Sequence, residues 1–337
     1  MKTIVVSAVN IRKGGTLTIL RECLAYLSTL AQSGEYRVVA LVHDKKLLDC
    51  PGVELMEIPW TVGSWRKRLK CEYSTMRDIS RQLAPVDLWL SLHDTTPNVE
   101  AKVQAVYCQT SFPFMKARWS DLKFDPKIFL FTLLTKFAYK VNVHRNKWLI
   151  VQTNWLRDGL SKRLGVDKSK FIVAPPKSPV LDPSAIAAPD KDGITTFFFP
   201  ATADCHKNFE TVCRAARLLE QQVGKGRFKV VLTIDGSENK YSAWLRKEFG
   251  DVDSIRFTGL LPKDKLYATY AATDCLLFPS RIETWGLPIS EFAAFHRPML
   301  LADLPYAHET SAGNDQVAFF NPDSPADLAA KMRQVID

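Results

Sequence analysis

Apolar residues along this chain fall into short continuous runs separated by stretches with helical spacing. The run from Thr3 to Ala8 predicts a strand, and the segment after it places Leu17, Leu20, Leu24 and Leu27 three and four apart, which predicts a helix. The same pattern predicts strands at Arg37 to Val42, Val53 to Ile58, Asp87 to Leu92, Lys102 to Cys108 and Lys147 to Gln152. It then recurs at Thr195 to Pro200, Lys229 to Ile234, Ile255 to Gly259, Cys275 to Phe278 and Met299 to Ala302. A helix with Phe209, Val212, Cys213, Ala216 and Leu219 on one face and a last helix from Pro325 to Ile336 belong to the second series. Strand alternating with helix implies α/β architecture with parallel, doubly wound sheets. Pro175, Pro176, Pro179, Pro183 and Pro189, with Asp190-Lys191-Asp192-Gly193, interrupt the pattern and predict a linker over 178–194. A first domain over 1–177 and a second over 195–337 follow, as a chain of 337 residues requires more than one ordinary core.

Composition adds exclusions. An apolar share of 46% with 24% charged residues is that of a soluble globular protein. No run approaches the roughly 20 apolar residues of a membrane-spanning helix. Met1 to Ala8 is too short for a secretory signal and reads as an opening strand. Seven scattered cysteines without Cys-x-x-Cys spacing predict neither a disulfide framework nor a zinc site, and point to the reducing cytoplasm. Charge is unevenly shared: residues 1–177 hold 28 Lys+Arg against 15 Asp+Glu, +13, and residues 178–337 hold 17 against 21, −4. A basic first half is suited to an anionic membrane surface or lipid phosphates. No helix-turn-helix, zinc-finger or RNP-like pattern is present, so nucleic acid is not an expected partner. Arg66-Lys67-Arg68-Lys70 and the segment Lys136 to Lys147 are the basic clusters. The stretch Ile128 to Leu134 reads either as an amphipathic helix resting on a membrane or as a core-facing helix with a solvated face, and the core reading is favoured.

Candidate chemistry gathers where strands end. After the strand Cys275 to Phe278, Gly286-Leu287-Pro288 opens a helix, with proline where its missing N–H costs nothing. The first amides of that helix are unpaired and favour an anion, and Gly286 allows close backbone approach. Glu283 and Glu291 lie on either side, so the loop suits a ligand with phosphates between two sets of hydroxyls, the shape of a nucleotide sugar. Gly14-Gly15-Thr16 stands between the first strand and its helix, and His93-Asp94 and Gln109-Thr110 end two further strands, where ligands of such sheets bind. His93 is a catalytic candidate on position alone; a histidine satisfied within the fold is the alternative.

Glu283 and Glu291 at that spacing, with Gly286-Leu287-Pro288 between them, resemble the signature of retaining GT-B glycosyltransferases, most nearly glycosyltransferase family 4. Phe199-Pro200-Ala201, His206-Lys207-Asn208, Phe257-Thr258-Gly259-Leu260, Phe278-Pro279-Ser280 and Ala302-Asp303-Leu304-Pro305 extend the resemblance in order. It implies two Rossmann-like domains facing each other across a crevice, the second binding the donor. By the same resemblance Lys207 grips the donor diphosphate, Glu291 the ribose and Glu283 the transferred sugar, with Gly14, Gly15, Gly259, Leu260, Leu261, Thr284, Trp285, Gly286 and Leu287 around the donor. Thr16, Asp94 and Gln109 then lie on the acceptor side.

Two departures matter. Relatives carry an arginine about five residues before the lysine where this chain has Thr202 and Ala203, which leaves Arg281 or His206 as substitutes. A histidine common in the family is replaced by Gln109, which cannot act as a base, so transfer should not depend on a protein base there. Asp251-Val252-Asp253 reads as a solvated turn, and neither metal nor cofactor is expected.

The implied activity is retaining transfer of a hexose to a saccharide acceptor linked to a polyprenyl diphosphate, in surface polysaccharide assembly of the O-antigen type. The expected location is the cytoplasm, peripheral at the inner face of the cell membrane. Another GT-B activity, epimerase or phosphorylase, and a non-catalytic sugar-nucleotide sensor remain the alternatives. The chain is also expected to end before, or with a short version of, the final helix that crosses back to the first domain in such enzymes.

Overall fold

The computed structural model describes residues 1–116, 118–177, 181–187 and 193–337. The linker positions Pro179, Pro189 and 190–192 and the side chain of Lys136 lie outside the described residues.

Strands β1 (Lys2–Ala8), β2 (Tyr36–Val42), β3 (Val53–Glu57), β4 (Leu88–Ser91), β5 (Val103–Tyr107), β6 (Trp148–Val151) and β7 (Phe171–Val173) form one parallel sheet in the order β3-β2-β1-β4-β5-β6-β7. The second sheet contains β8 (Thr195–Phe199), β9 (Phe228–Leu232), β10 (Ile255–Phe257), β11 (Cys275–Phe278), β12 (Met299–Ala302) and β13 (Val317–Phe320), in the order β10-β9-β8-β11-β12-β13. Both are doubly wound, and every pairing in them is parallel. Helices fill the connections: α1 (Gly14–Gln32), α2 (Trp65–Lys70), α3 (Met76–Gln82), α4 (Trp119–Phe124), α5 (Pro126–Ala138), α6 (Asn154–Leu164), α7 (Phe209–Val223), α8 (Lys240–Phe249), α9 (Lys263–Ala272), α10 (Leu287–Ala293), α11 (Pro305–Thr310) and α12 (Pro325–Ile336). The predicted strands are all present, with ends shifted by a residue or two; β7 and β13 were not expected.

The chain order of each sheet reverses direction once, between β1 and β4 in the first and between β8 and β11 in the second. Connections leave these neighbouring strands to opposite sides, which opens a gap beyond their carboxyl ends. Beneath the second gap lies an aromatic core. Phe197, Phe198 and Phe199 are fully buried, and Phe199 meets Phe209 of α7 at 4.6 Å between ring centroids and Phe278 of β11 edge-on at 6.0 Å.

By packing, the chain divides into Met1–Pro113 with Leu134–Pro176, and Phe114–Leu133 with Lys177–Asp337. The sequence reading places 114–133 in the first domain, whereas here it packs on the second. The reason is local. Phe124 stacks obliquely on Tyr241 and Trp244 of α8, 5.4 and 5.1 Å away, and Arg118 pairs with Asp323 before α12. α12 itself packs against α7 of its own unit.

The core-facing expectation for α5 is corrected in part. Ile128, Phe129 and Phe131 are half-buried, but Leu130, Leu133 and Leu134 face solvent, while Thr132 and Thr135 are buried. Among the described residues, no helix is long and apolar enough to cross a membrane.

Candidate functional site

In the second unit the loops following β8 and β11 meet at the point where strand order reverses. A single 3-10 turn, Cys205–Lys207, ends on Asn208, whose left-handed backbone (φ 63°) starts α7. The Asn208 side chain is completely buried, donating to the carbonyls of Pro279 (3.1 Å) and Pro322 (2.9 Å) and accepting from Thr211 (2.8 Å). The Arg281 amide donates to the His206 carbonyl, 2.8 Å away. Tied together in this way, the two loops bring Lys207 Nζ to 2.6 Å from Glu283 Oε1, with both side chains mostly buried. The lysine's charge is thus compensated by an anion that a second anion can displace.

Gly286 follows at φ 91°, and a Cβ there would stand 3.2 Å from both Phe278 and Ile289. Only glycine turns the chain here without strain. α10 then starts, seven residues long with Pro288 in its first turn. Trp285 Nε1 donates to Ser290 Oγ (2.8 Å), Thr310 Oγ1 donates to the Trp285 carbonyl, and Thr284 and Leu287 are half-buried. Glu291, on the same helix, accepts from the Tyr270 hydroxyl at 2.9 Å. Burial pushes its carboxyl above the usual range, against the opposing effect of the tyrosine's hydrogen bond. At the end of β10, Gly259 (φ 72°) lies so close to Asp235 that a Cβ would be 2.9 Å from the carboxylate; Leu260 beside it is exposed and Leu261 half-buried.

Of the residues suggested in place of the missing arginine, one is held in ion pairs and the other is buried. Arg281 is engaged with Glu210 (2.9 Å) and Asp323 (2.8 Å), and burial together with neighbouring Lys207 pushes His206 down to about 4, leaving it uncharged at neutral pH. Next to Arg281, a cavity of about 360 Å³ is walled by Phe124, Tyr241 and Trp244, with Glu210 and Arg118 also lining it.

In the first unit the equivalent loops are occupied differently. His93 is buried, with Nε2 3.1 Å from Ser7 Oγ and Nδ1 3.1 Å from Thr95 Oγ1. Glu72, also buried, accepts from Thr95 (2.7 Å) and Arg68 (2.7 Å) and lies 3.4 Å from His93. Burial pushes His93 down to about 4. The catalytic expectation for His93 is therefore corrected: the ring is a neutral part of an internal network with no exposed edge for a substrate. Asp94 (φ 71°) accepts from the amides of Gln109 (2.5 Å) and Thr110 (3.0 Å), and Gln109 Nε2 donates to the Leu92 carbonyl at 2.7 Å. Both side chains fasten the loop after β4 to that after β5, which is a structural occupation where acceptor contact was expected. Gly14 and Gly15 are exposed at the start of α1, and the Thr16 hydroxyl donates to the Lys13 carbonyl (3.1 Å). Asp251 and Asp253 are exposed and pair with Arg217 and Lys225. Among the described residues no group of three or more His, Cys, Asp or Glu is placed to hold a metal ion.

Sequence reasoning missed Tyr270, Asn208 and the Arg68–Glu72 pair. Asn208 stood within a quoted motif, but the others depend on which polar side chains the fold encloses together, which residue order does not show.

This is a two-domain arrangement of parallel α/β sheets, the fold of GT-B glycosyltransferases, and the comparisons agree. The structure superposes on a glycosyltransferase from Rickettsia africae with a TM-score of 0.70 at 15% identity, covering 99% of this chain and 88% of that one. It superposes on Anabaena Alr3699/HepE in complex with UDP and glucose with a TM-score of 0.68 at 12% identity, covering 100% and 90%. Residues 195–337, which contain all the strands of the second sheet, match the family model "Glycosyl transferases group 1". Over 214 residues the chain is 21% identical to the O-antigen chain mannosyltransferase RfbU of Salmonella typhimurium, spanning 62% of this chain and 57% of that relative's length.

Proposed function

We propose that this protein is a retaining, metal-independent glycosyltransferase that moves a hexose from a nucleotide diphosphate sugar to a saccharide acceptor carried on a polyprenyl diphosphate. The observation that carries the reading is the Lys207–Glu283 pair at the strand-order reversal, 2.6 Å apart, with Gly286 and Glu291 next along the same loop and helix. A bound diphosphate would take Lys207 from Glu283. That leaves an ionised carboxylate to accept hydrogen bonds from hydroxyls of the transferred sugar. Glu291, held by Tyr270, would accept the ribose hydroxyls, and the exposed face of Leu260 offers an apolar cover for the base.

During transfer the bond from the sugar's anomeric carbon to the diphosphate oxygen breaks, with negative charge gathering on the phosphate. Lys207 and the Leu287 amide, which follows Gly286 and precedes a proline without an N–H, neutralise it without a metal. The departing phosphate oxygen then takes the proton of the acceptor hydroxyl that attacks from the same face. With His93 internal and Gln109 not basic, this route needs no protein base. Polysaccharide assembly is supported by the relative's O-antigen role, and a lipid-linked acceptor by the exposed cations Arg66, Lys67 and Lys70 of α2. Arg68 is excluded from that cluster because Glu72 and the His93 carbonyl hold it.

The test is transfer of a radiolabelled sugar from a panel of GDP-, UDP- and dTDP-sugars, preceded by thermal-shift screening. A ligand at a hundred times its dissociation constant adds about 2.7 kcal/mol. Stabilisation without transfer or hydrolysis would leave only a binding protein.

A further inference from the structure

Leu130, Leu133, Leu134, Phe137 and Val141 recur at helical spacing on α5 and the turn after it, and all five are exposed, by 54, 43, 54, 60 and 44%. The opposite side buries Thr132 and Thr135, and the Thr132 hydroxyl is satisfied by the Ile128 carbonyl of its own helix at 2.9 Å. A globular helix turns its leucines inward and its threonines to water; α5 does the reverse. Trp119 of α4, 83% exposed and stacked on Phe129 at 6.4 Å, adds an amphipathic ring, and Leu122 is exposed on the same short helix.

We propose that this stripe inserts into the interfacial layer of an anionic lipid bilayer. Charge selects the occupant. Between residues 116 and 147 the sequence holds eight Lys or Arg and two acids, Asp121 and Asp125, both of which accept from backbone amides at the starts of α4 and α5. Lys116, Lys123 and Lys140 are exposed. A two-fold contact between copies of the chain would oppose like charges, whereas anionic headgroups complement them. The length fits too: 13 helical residues extend about 20 Å, short of the roughly 30 Å hydrocarbon core, so the helix lies in the interface plane with its leucines below headgroup level. Trp119 is of the residue type that favours that boundary. The inference rests on the lipid-linked acceptor reading, but its test contains no substrate, so either can fail without the other.

The full chain is sedimented with vesicles of phosphatidylethanolamine and phosphatidylglycerol at low and high salt, beside Leu130→Ser/Leu133→Ser/Leu134→Ser and an apolar control, Leu130→Ile/Leu133→Met/Leu134→Ile. Screening shortens the Debye length from about 10 to about 3 Å between 0.1 and 1 M salt and weakens only the electrostatic part. Expected is partial salt resistance of the unaltered chain, a loss in partitioning on the order of a hundredfold in the serine variant, and binding by the control like that of the unaltered chain. The far-UV circular dichroism and melting temperature of the serine variant should match those of the unaltered chain, which establishes that it is folded. The proposal is overturned if the serine variant binds as well as the unaltered chain, or if high salt releases the unaltered chain completely. It is equally overturned if the unaltered chain dimerises through this face and the serine variant does not.

Discussion

Lys207 and Glu283 are 76 positions apart in the chain and 2.6 Å apart in space, because each follows one of the two strands that flank the reversal of strand order in the second sheet. In the proposed function their pairing keeps a cation at neutral net charge, for the donor diphosphate to take over. Lys207→Ala should lower turnover by about two orders of magnitude or more, the scale of losing a preorganised transition-state contact. Glu283→Gln should lower it also, and the double variant should lose less than the product of the two effects. Full activity in Lys207→Ala, measured with a labelled donor, would sink the diphosphate assignment.

Transfer should survive EDTA. Loss of activity restored by Mn²⁺ would contradict the metal-free route and return interest to Asp251 and Asp253.

Tyr270 is buried against Phe198 and Phe292, so Tyr270→Phe removes only the hydroxyl that holds Glu291. The carboxyl already lies above its usual range, and without the hydrogen bond it rises further. Since ribose recognition needs the ionised form, donor affinity should fall on acidification, and fall at higher pH in Tyr270→Phe. Calorimetric titration of the nucleoside diphosphate across pH checks this. Affinity equal to that of the unaltered chain at every pH would remove Glu291 from the ribose role.

His93 and His206 are both depressed to about 4, against an ordinary value of about 6.5 when unfolded. The unfolded chain therefore binds more protons between these limits. Stability is complete above about pH 6.5 and lost as pH falls towards 4, by roughly 3 kcal/mol for each histidine. Thermal melts over this range should show the decline, and His93→Gln should flatten it. An unchanged slope in that variant would mean that other groups dominate acid unfolding.

The buried parallel strands were legible because burial on both faces leaves continuous apolar runs, as in Cys275 to Phe278. β7 and β13 were not: each closes the edge of its sheet, and β7 is only three residues long. Gly286 and the start of α10 were readable from glycine and proline chemistry. The roles of Lys207, Glu283 and Glu291 came from resemblance, since no periodicity predicts which loops a crossover brings together. Residue type failed where burial decided the outcome. Arg68 looked like one more surface cation beside Arg66 and Lys67, yet it closes an internal pair with Glu72, and His93 looked available at a strand end but is enclosed. On α5 a count of leucines suggested a core, and only their direction showed otherwise.

The attachment of residues 114–133 to the second unit bears on how the protein can be cut and recombined. A ribosome makes this segment some sixty residues before the strand Thr195–Phe199 emerges, so the partners of Phe124 and Arg118 do not yet exist when it is synthesised. A fragment starting at residue 177, or a chimera exchanging halves there, would strip Tyr241 and Trp244 of Phe124 and Asp323 of one arginine. The second unit is therefore better transplanted as a discontinuous graft, with 114–133 travelling alongside the carboxyl-terminal half.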